Sequence, residues 1–122
     1  MLNLAKEIID GRHLTREDDL SMLLNADLGE LTKGADMIQK VLCSQSVNET
    51  NPVISHNHIL GQGENWKNRL DMALELADSN ISFISLQFIT PFLETQEIIR
   101  IIAIFRYINP SAFFRLGTVR NL

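Results

Sequence analysis

Cysteine is scarce in this sequence, and the shortage limits its chemistry. The 122 residues contain one cysteine, Cys43, so no disulfide can form within the chain. This usage is typical of a reducing compartment, and we therefore predict a cytoplasmic location. Cys43 has no histidine or asparagine at an informative spacing, so we interpret it as a packed thiol and not as a nucleophile.

Long apolar runs are also missing. The most apolar segment, residues 98–104, is interrupted by Arg100 and is too short to cross a bilayer. Lys6 and Glu7 precede any apolar run at the N-terminus, which is unlike a secretory signal peptide. We expect no membrane partner.

Dense basic clusters are absent as well. The formal net charge is -4, although residues 98–122 hold four arginines and no acid. These arginines are spread along a predicted helix and strand, without lysines between them. A spread of this kind is weak support for phosphate recognition, and we expect no nucleic-acid partner.

Residues 1–43 predict a helical region. Apolar residues recur with helical spacing over Leu2–Ile9, and Gly11 ends the run. Thr15, followed by acids, predicts the N-cap of a second helix. A third helix is predicted over Leu28–Leu42, with its small and aliphatic residues on one face.

Residues 44–58 differ in composition from both flanks. They are polar, contain a proline and show no clear period, which predicts a linker or a junction between two regions. His56 and His58, near its end, could serve as metal ligands. No cysteine or acid at a suitable spacing completes a ligand set, so we interpret them as solvated loop histidines.

Residues 59–122 predict alternating strands and helices. The predicted elements are, in order, a strand ending at 59–60, a helix around 70–77, a strand over 81–89, a helix over 96–107 capped by Thr95, and a strand over 112–116. This order is that of βαβ units, which join parallel strands. The sequence is therefore of the α/β class.

The first strand runs into the turn Gly61-Gln62-Gly63-Glu64. Two glycines before a helix are part of a dinucleotide-binding fingerprint, but Trp66 stands where the third glycine belongs, so we favour a tight turn. Glu64 follows the carboxyl end of a strand, the edge where ligands bind in parallel sheets. It could equally be a surface acid that caps the next helix.

Three segments, in the same order along the chain, resemble biotin synthases. They are LAKEIIDGRHLTREDDLSMLL (residues 4–24), ILGQGENWKNRLDMALELADSNI (59–81) and IIAIFRYINPSAFFRLGTVRNL (101–122). Biotin synthases are radical S-adenosylmethionine enzymes on an α/β barrel, which insert sulfur into dethiobiotin with a [4Fe-4S] and a [2Fe-2S] cluster. The resemblance implies N-terminal helices followed by a partial, incomplete TIM-barrel-like segment with about three parallel strands.

The resemblance also implies roles for individual residues. Gly61, Gly63 and Glu64 resemble the turn that lies near S-adenosylmethionine. Gln87 stands where the family has an asparagine near substrate, so this contact is substituted. Arg115 resembles the arginine ligand of the [2Fe-2S] cluster, and here its role would be vestigial.

The departures from the family pattern concern the clusters. The family's Cys-x3-Cys-x2-Cys motif is absent, and so are the cysteines of the second cluster. Because such clusters need thiolate ligands, we expect no cofactor in this chain and no catalysis by the chain alone. The jump at residues 44–58 and the stop at Leu122 indicate an internally deleted, C-terminally truncated relative.

Three interpretations remain open. The chain could be a relic without a selected function, which would aggregate through unpaired strand edges unless the N-terminal helices cover them. It could be a non-catalytic protein that associates with itself or with an intact biotin synthase. It could also be one half of an enzyme whose cysteines come from another chain.

Overall fold

A computed structural model describes residues 2–43, 56–61, 63–81, 83–90 and 93–120. The elements in these ranges are α1 (Leu2–Ile9), α2 (Ser21–Asn25), α3 (Leu28–Leu42), β1 (His56–Leu60), α4 (Trp66–Asp78), β2 (Phe83–Thr90), α5 (Thr95–Ile108) and β3 (Phe113–Arg120). The predicted α/β class, with N-terminal helices before a βαβαβ segment, is confirmed. None of the described helices has the length and apolarity needed to cross a membrane.

The three strands form one parallel sheet in the order β1-β2-β3. Strand order therefore follows chain order, as along an arc of an α/β barrel. The crossover helices α4 and α5 contact each other, so they lie on the same side of the sheet. This placement agrees with the right-handed crossovers that parallel strands require.

The aliphatic and aromatic residues on the helix-covered face of β2 are more deeply buried than Gln87 on its second face. On the helix-covered face, Leu60 pairs in register with Phe88, and both side chains are buried. Leu86 lies in the same face and is fully buried. The second face carries the alternate residues, among them Gln87, which is half-buried, and Ile59, which is 44% exposed.

Helix α5 is buried almost all round. Six consecutive residues at its end are buried, Ala103 to Ile108, as expected for a helix that is apolar on nearly every face. It contacts α4 on one side and α3 on another, while α1 packs on α3. Among the described elements, the N-terminal helices thus cover α5.

Polar contacts hold α5 to the N-terminal helices. Arg100 donates hydrogen bonds to the carbonyl oxygens of Leu23 (3.1 Å) and Ala26 (2.9 Å) at the end of α2. The Tyr107 hydroxyl donates to the carbonyl oxygen of Leu31 at 3.1 Å. Burial raises the pKa of Tyr107 to about 12, with a smaller contribution from Glu30, so the hydroxyl remains a neutral donor.

The second helix starts later than predicted. Thr15 does not cap it: the backbone N–H of Thr15 donates to the Asp18 carboxylate at 2.8 Å, which closes a turn. This hydrogen bond and one from Arg12 hold the pKa of Asp18 below its usual range. The helix begins at Ser21, whose N–H donates to Asp19 at 3.1 Å. Hydrogen bonds from backbone N–H groups to the carboxylates of Asp18 and Asp19 replace helical hydrogen bonds in this segment, because aspartate side chains offer the backbone an alternative acceptor.

Strand β1 begins earlier than predicted. His56 and His58 belong to the strand and pair with Ile84 and Leu86 of β2. The prediction of solvated loop histidines is therefore wrong for their backbone, because pairing with a buried strand overrides polar composition. The rest of the predicted linker, 44–55, lies outside the described residues. Strand β3 also extends beyond its predicted end, to Arg120.

Gly34 makes the close approach of α3 and α5 feasible. A Cβ at this position would overlap the Tyr107 hydroxyl and lie 3.2 Å from Ala5 Cβ. We expect Gly34→Ala to lower the free energy of unfolding by about 2 kcal/mol or more, because the buried hydroxyl must move away from Leu31. Urea denaturation followed by circular dichroism measures this change.

Gly29→Ala in the same helix is the matched control. Its added Cβ would meet only the flexible Asp27 carboxylate, at 3.2 Å. We expect it to be neutral or to stabilise by up to about 1 kcal/mol through helix propensity. Adding Tyr107→Phe to Gly34→Ala should remove part of the clash, so additive losses in the double variant would contradict this account.

Candidate functional site

The glycine turn after β1 is closed by its own acid. Glu64 Oε1 accepts a hydrogen bond from the backbone N–H of Gly61 at 2.8 Å. Gly61 and Gly63 have φ values of 104° and 89°, in the region that favours glycine. A Cβ on Gly61 would also lie 3.2 Å from the carbonyl oxygen of Ile89. Both conformation and packing therefore require glycine at position 61.

Arg69 connects this turn to both crossover helices. Its Nε lies 3.2 Å from Glu64 Oε1, and its Nη1 lies 2.7 Å from Glu97 Oε2 in the first turn of α5. The guanidinium also sits 4.6 Å from the centre of the Trp66 ring. Only 5% of Arg69 is exposed, while the Glu97 side chain is 34% exposed, so this clasp of one arginine and two acids is a partly buried ion pair network.

Glu64 belongs to the glycine turn and is not the N-cap of α4. Helix α4 is capped by Asn65, whose side chain accepts from the N–H of Asn68 at 2.9 Å while Asn68 bonds back at 3.2 Å. The suggestion that Glu64 caps this helix is thus wrong. Glu64 instead accepts the hydrogen bond of the turn and pairs with Arg69, at the edge of the sheet where ligands bind in parallel sheets.

The second face of the sheet brings two predicted site residues together. Gln87 pairs in register with Gly117, and Ser85 pairs with Arg115, so Gln87 and Arg115 lie on neighbouring strands and on one face. A Cβ on Gly117 would lie 2.9 Å from Gln87 Oε1, which shows that the glutamine amide lies across β3. Arg115 is exposed. The glycine turn stands at the carboxyl edge of the same sheet.

A second buried arginine was missed by sequence reasoning. Arg106 Nη1 donates hydrogen bonds to the carbonyl oxygens of Pro110 (3.0 Å) and Ala112 (2.6 Å) and to Cys43 Sγ (3.0 Å). Its guanidinium lies 4.4 Å from the centre of the Phe114 ring. The contacts join the ends of α3 and α5 to the start of β3. A charged residue inside an apolar helix is the signal that points to such a site.

Comparison with known proteins identifies the family that the chain resembles. No protein-family model matches it. The chain is 33% identical over 93 residues to the biotin synthase of Brachyspira hyodysenteriae, covering 68% of this chain and 28% of that protein. It is 55% identical over 47 residues to that of Clostridium beijerinckii, covering 38% and 15%. The biotin synthase of Campylobacter hominis is 41% identical over 73 residues, covering 52% of this chain and 22% of that protein.

The chain is biotin synthase-like. It spans about a quarter of the length of the first of these relatives.

The residues of this biotin synthase-like chain do not fit an iron–sulfur cluster. The sequence has one cysteine, whereas a cluster of this kind is held by several thiolates. Cys43 packs beside Arg106 on the helix-covered side, while Arg115 lies on the opposite face. Within the described ranges, no three His, Cys, Asp or Glu side chains converge as metal ligands.

The clasp at Arg69 gives a direct test of this arrangement. We expect Arg69→Met to lower the free energy of unfolding by about 3 kcal/mol, because it leaves Glu64 and Glu97 partly buried without their cation. Chemical denaturation measures the loss. Arg16 is a matched control, since it also bridges two acids, Asp71 at 3.6 Å and Asp78 at 3.3 Å, but at the surface.

We expect Arg16→Met to cost less than about 1 kcal/mol, because exposed ion pairs contribute little. Equal losses in the two variants would show that burial of the Arg69 clasp adds nothing to stability.

Proposed function

We propose that this chain is a biotin synthase-like polypeptide, related to biotin biosynthesis, that cannot insert sulfur into dethiobiotin by itself. The observation that carries the proposal is the match to biotin synthases over 68% of the chain combined with a single cysteine. The match supports descent from a sulfur-inserting enzyme. The cysteine count opposes cluster assembly within one chain.

The fold supports retention of a scaffold without its chemistry. The parallel strands, the glycine turn and the Arg69 clasp preserve a segment of the kind expected near S-adenosylmethionine in the family. Without a four-iron cluster there is no electron source for cleaving S-adenosylmethionine. We propose that Gly61, Gly63 and Glu64 are inherited from that site, and that Gln87 and Arg115 are remnants of substrate and cluster contacts.

We further propose that the family's cluster loop was lost between the N-terminal helices and β1. The segments that resemble the family end at residue 24 and resume at residue 59. The polar stretch 44–58 lies between them and marks the junction. A deletion at this point removes the cysteines yet leaves α3 able to pack on α5.

Cluster assembly tests the proposal directly. After anaerobic incubation with iron and sulfide, we expect the purified chain to bind far less than one [4Fe-4S] cluster per monomer, because one thiol cannot ligate four irons. Iron and sulfide analysis and the visible absorption spectrum measure this. A full-length biotin synthase treated in parallel is the positive control, and Cys43→Ala should remove any trace of bound iron.

A full [4Fe-4S] complement on the monomeric chain would refute the proposal. If the full-length control also failed to assemble a cluster, the reconstitution procedure would be at fault and the result would say nothing about this chain.

A second candidate function is non-catalytic association with another copy or with an intact biotin synthase. All-parallel sheets are normally covered on both faces, and here Ile59, on the second face of edge strand β1, is 44% exposed. Among the described strands, β1 is the edge of the sheet, and a sheet edge beside an exposed apolar residue is a site where another chain can add. We propose that the second face supports self-association.

Size-exclusion chromatography with light scattering tests this candidate. We expect a mass above that of the 13.9 kDa monomer, and we expect Ile59→Lys to shift it towards the monomer because a buried lysine is costly at an apolar contact. Val41→Lys is the control, since Val41 is a similarly exposed apolar residue (54%) on α3. A monomer at every concentration would exclude self-association.

A further inference from the structure

Arg106 carries a buried positive charge that meets no carboxylate among the described residues. Only 6% of the residue is exposed, and buried charges in proteins are normally paired with an opposite charge. Arg69, equally buried, meets two carboxylates. In the part of the chain that the structure describes, no carboxylate forms an ion pair with Arg106, and its hydrogen-bond acceptors are two carbonyl oxygens and one thiol.

The hydrogen bonds of Arg106 leave much of its donor capacity for a ligand. A guanidinium has five N–H donors. Among the described residues, every hydrogen bond from this side chain starts at Nη1, which carries two of the five. Burial lowers the pKa of Arg106, and Cys43 opposes the shift only in part. An anion beside the guanidinium would relieve this cost of burial.

Arg106 also lines a cavity of about 380 Å³ between α3, α5 and β3. The apolar part of its wall includes Ile102 and Phe114 and two residues at the rim, Ile99 and Leu116. Ile99 is 38% exposed and Leu116 is 50% exposed, although Leu86, next to Leu116 in the sheet, is fully buried. The cavity thus pairs an apolar wall with one buried cation.

The acid nearest to this site has its own partner. Asp36 lies in the cavity wall but forms an ion pair with Lys40, one helical turn away, at 2.9 Å. Both side chains are largely exposed, so solvent screens their charges. The buried guanidinium therefore sets the sign of the charge that the interior of the cavity can accept.

We propose that this cavity binds a small carboxylate with an apolar chain. The carboxylate pairs with the Arg106 guanidinium, whose planar fork suits such a group, and the chain lies against Ile99, Ile102 and Leu116. The volume is at the lower end of the range of small-molecule sites, which favours a short chain. The site lies on the helix-covered side of the sheet, away from the glycine turn, and is independent of the proposed function.

Hexanoate is a suitable probe for the 122-residue chain. In a ¹H–¹⁵N NMR titration, we expect saturable shifts of the backbone amides of Ile99, Ala103 and Leu116, with a Kd of about 1 mM for a ligand of this size. Hexanamide has the same chain without the charge. We expect it to bind at least about tenfold more weakly, because it lacks the charge-assisted hydrogen bonds to Arg106.

A variant at the rim tests the location without disturbing buried Arg106. Ile99→Glu places a negative charge at the mouth of the cavity, and we expect it to weaken hexanoate binding by about tenfold or more. Val41→Glu adds the same charge at an exposed apolar position of α3 outside the cavity wall and should leave the Kd nearly unchanged. Circular dichroism verifies that both variants are folded.

Three results would overturn the proposal. They are the absence of saturable hexanoate shifts in the folded chain, equal Kd values for hexanoate and hexanamide, and an unchanged hexanoate Kd in folded Ile99→Glu.

Discussion

The fold depends on the burial of α5 from more than one side. A helix with six consecutive buried residues cannot rest on a sheet alone, because a sheet covers only one side of a helix. The second cover comes from α3, and Gly34 lets the two helices approach until Tyr107 reaches the carbonyl oxygen of Leu31. The N-terminal helices are therefore part of the core, and the βαβαβ segment would expose an apolar helix without them.

Two buried arginines, in opposite electrostatic situations, connect the helices to the sheet. Arg69 lies at the carboxyl end of β1 and is neutralised by Glu64 and Glu97. Arg106 lies at the amino end of β3, and its acceptors among the described residues are two carbonyl oxygens and the sulfur of Cys43. A paired charge in the interior is a structural tie, whereas an unpaired one beside a cavity favours an anionic ligand. The cavity beside Arg106 does not include the glycine turn in its wall.

The fold of this chain does not depend on thiolates that could bind a cluster. Parallel pairing and the glycine turn depend on backbone geometry, which a chain can keep after it loses reactive groups. Cluster chemistry depends on several thiolates at one place, and this chain has one cysteine, which packs beside Arg106. Similarity to biotin synthases and absence of their cluster donors are thus compatible properties of one molecule.

Sequence alone determined the class of the fold and its family. Helical spacing over Leu28–Leu42 and the apolar run of β2 predicted their elements closely, because hydrophobic period reports local structure directly. Family motifs predicted site roles for Gly61, Glu64, Gln87 and Arg115. The local pattern did not predict where α2 and β1 begin. A turn closed by Asp18 delays the start of α2, and pairing with β2 places the start of β1 at His56.

Only the tertiary structure decided what the charged residues contact. Glu64 and Glu97 are 33 positions apart in the sequence, yet both reach Arg69, and Cys43 meets Arg106 from the end of a different helix. The periodicity of the sequence does not predict such contacts between distant side chains, because they depend on how the helices pack on the sheet. The sequence by itself determined most of the helices and strands and showed that the chain has a single cysteine. The packing of helices on the sheet determined which of its charged side chains are paired.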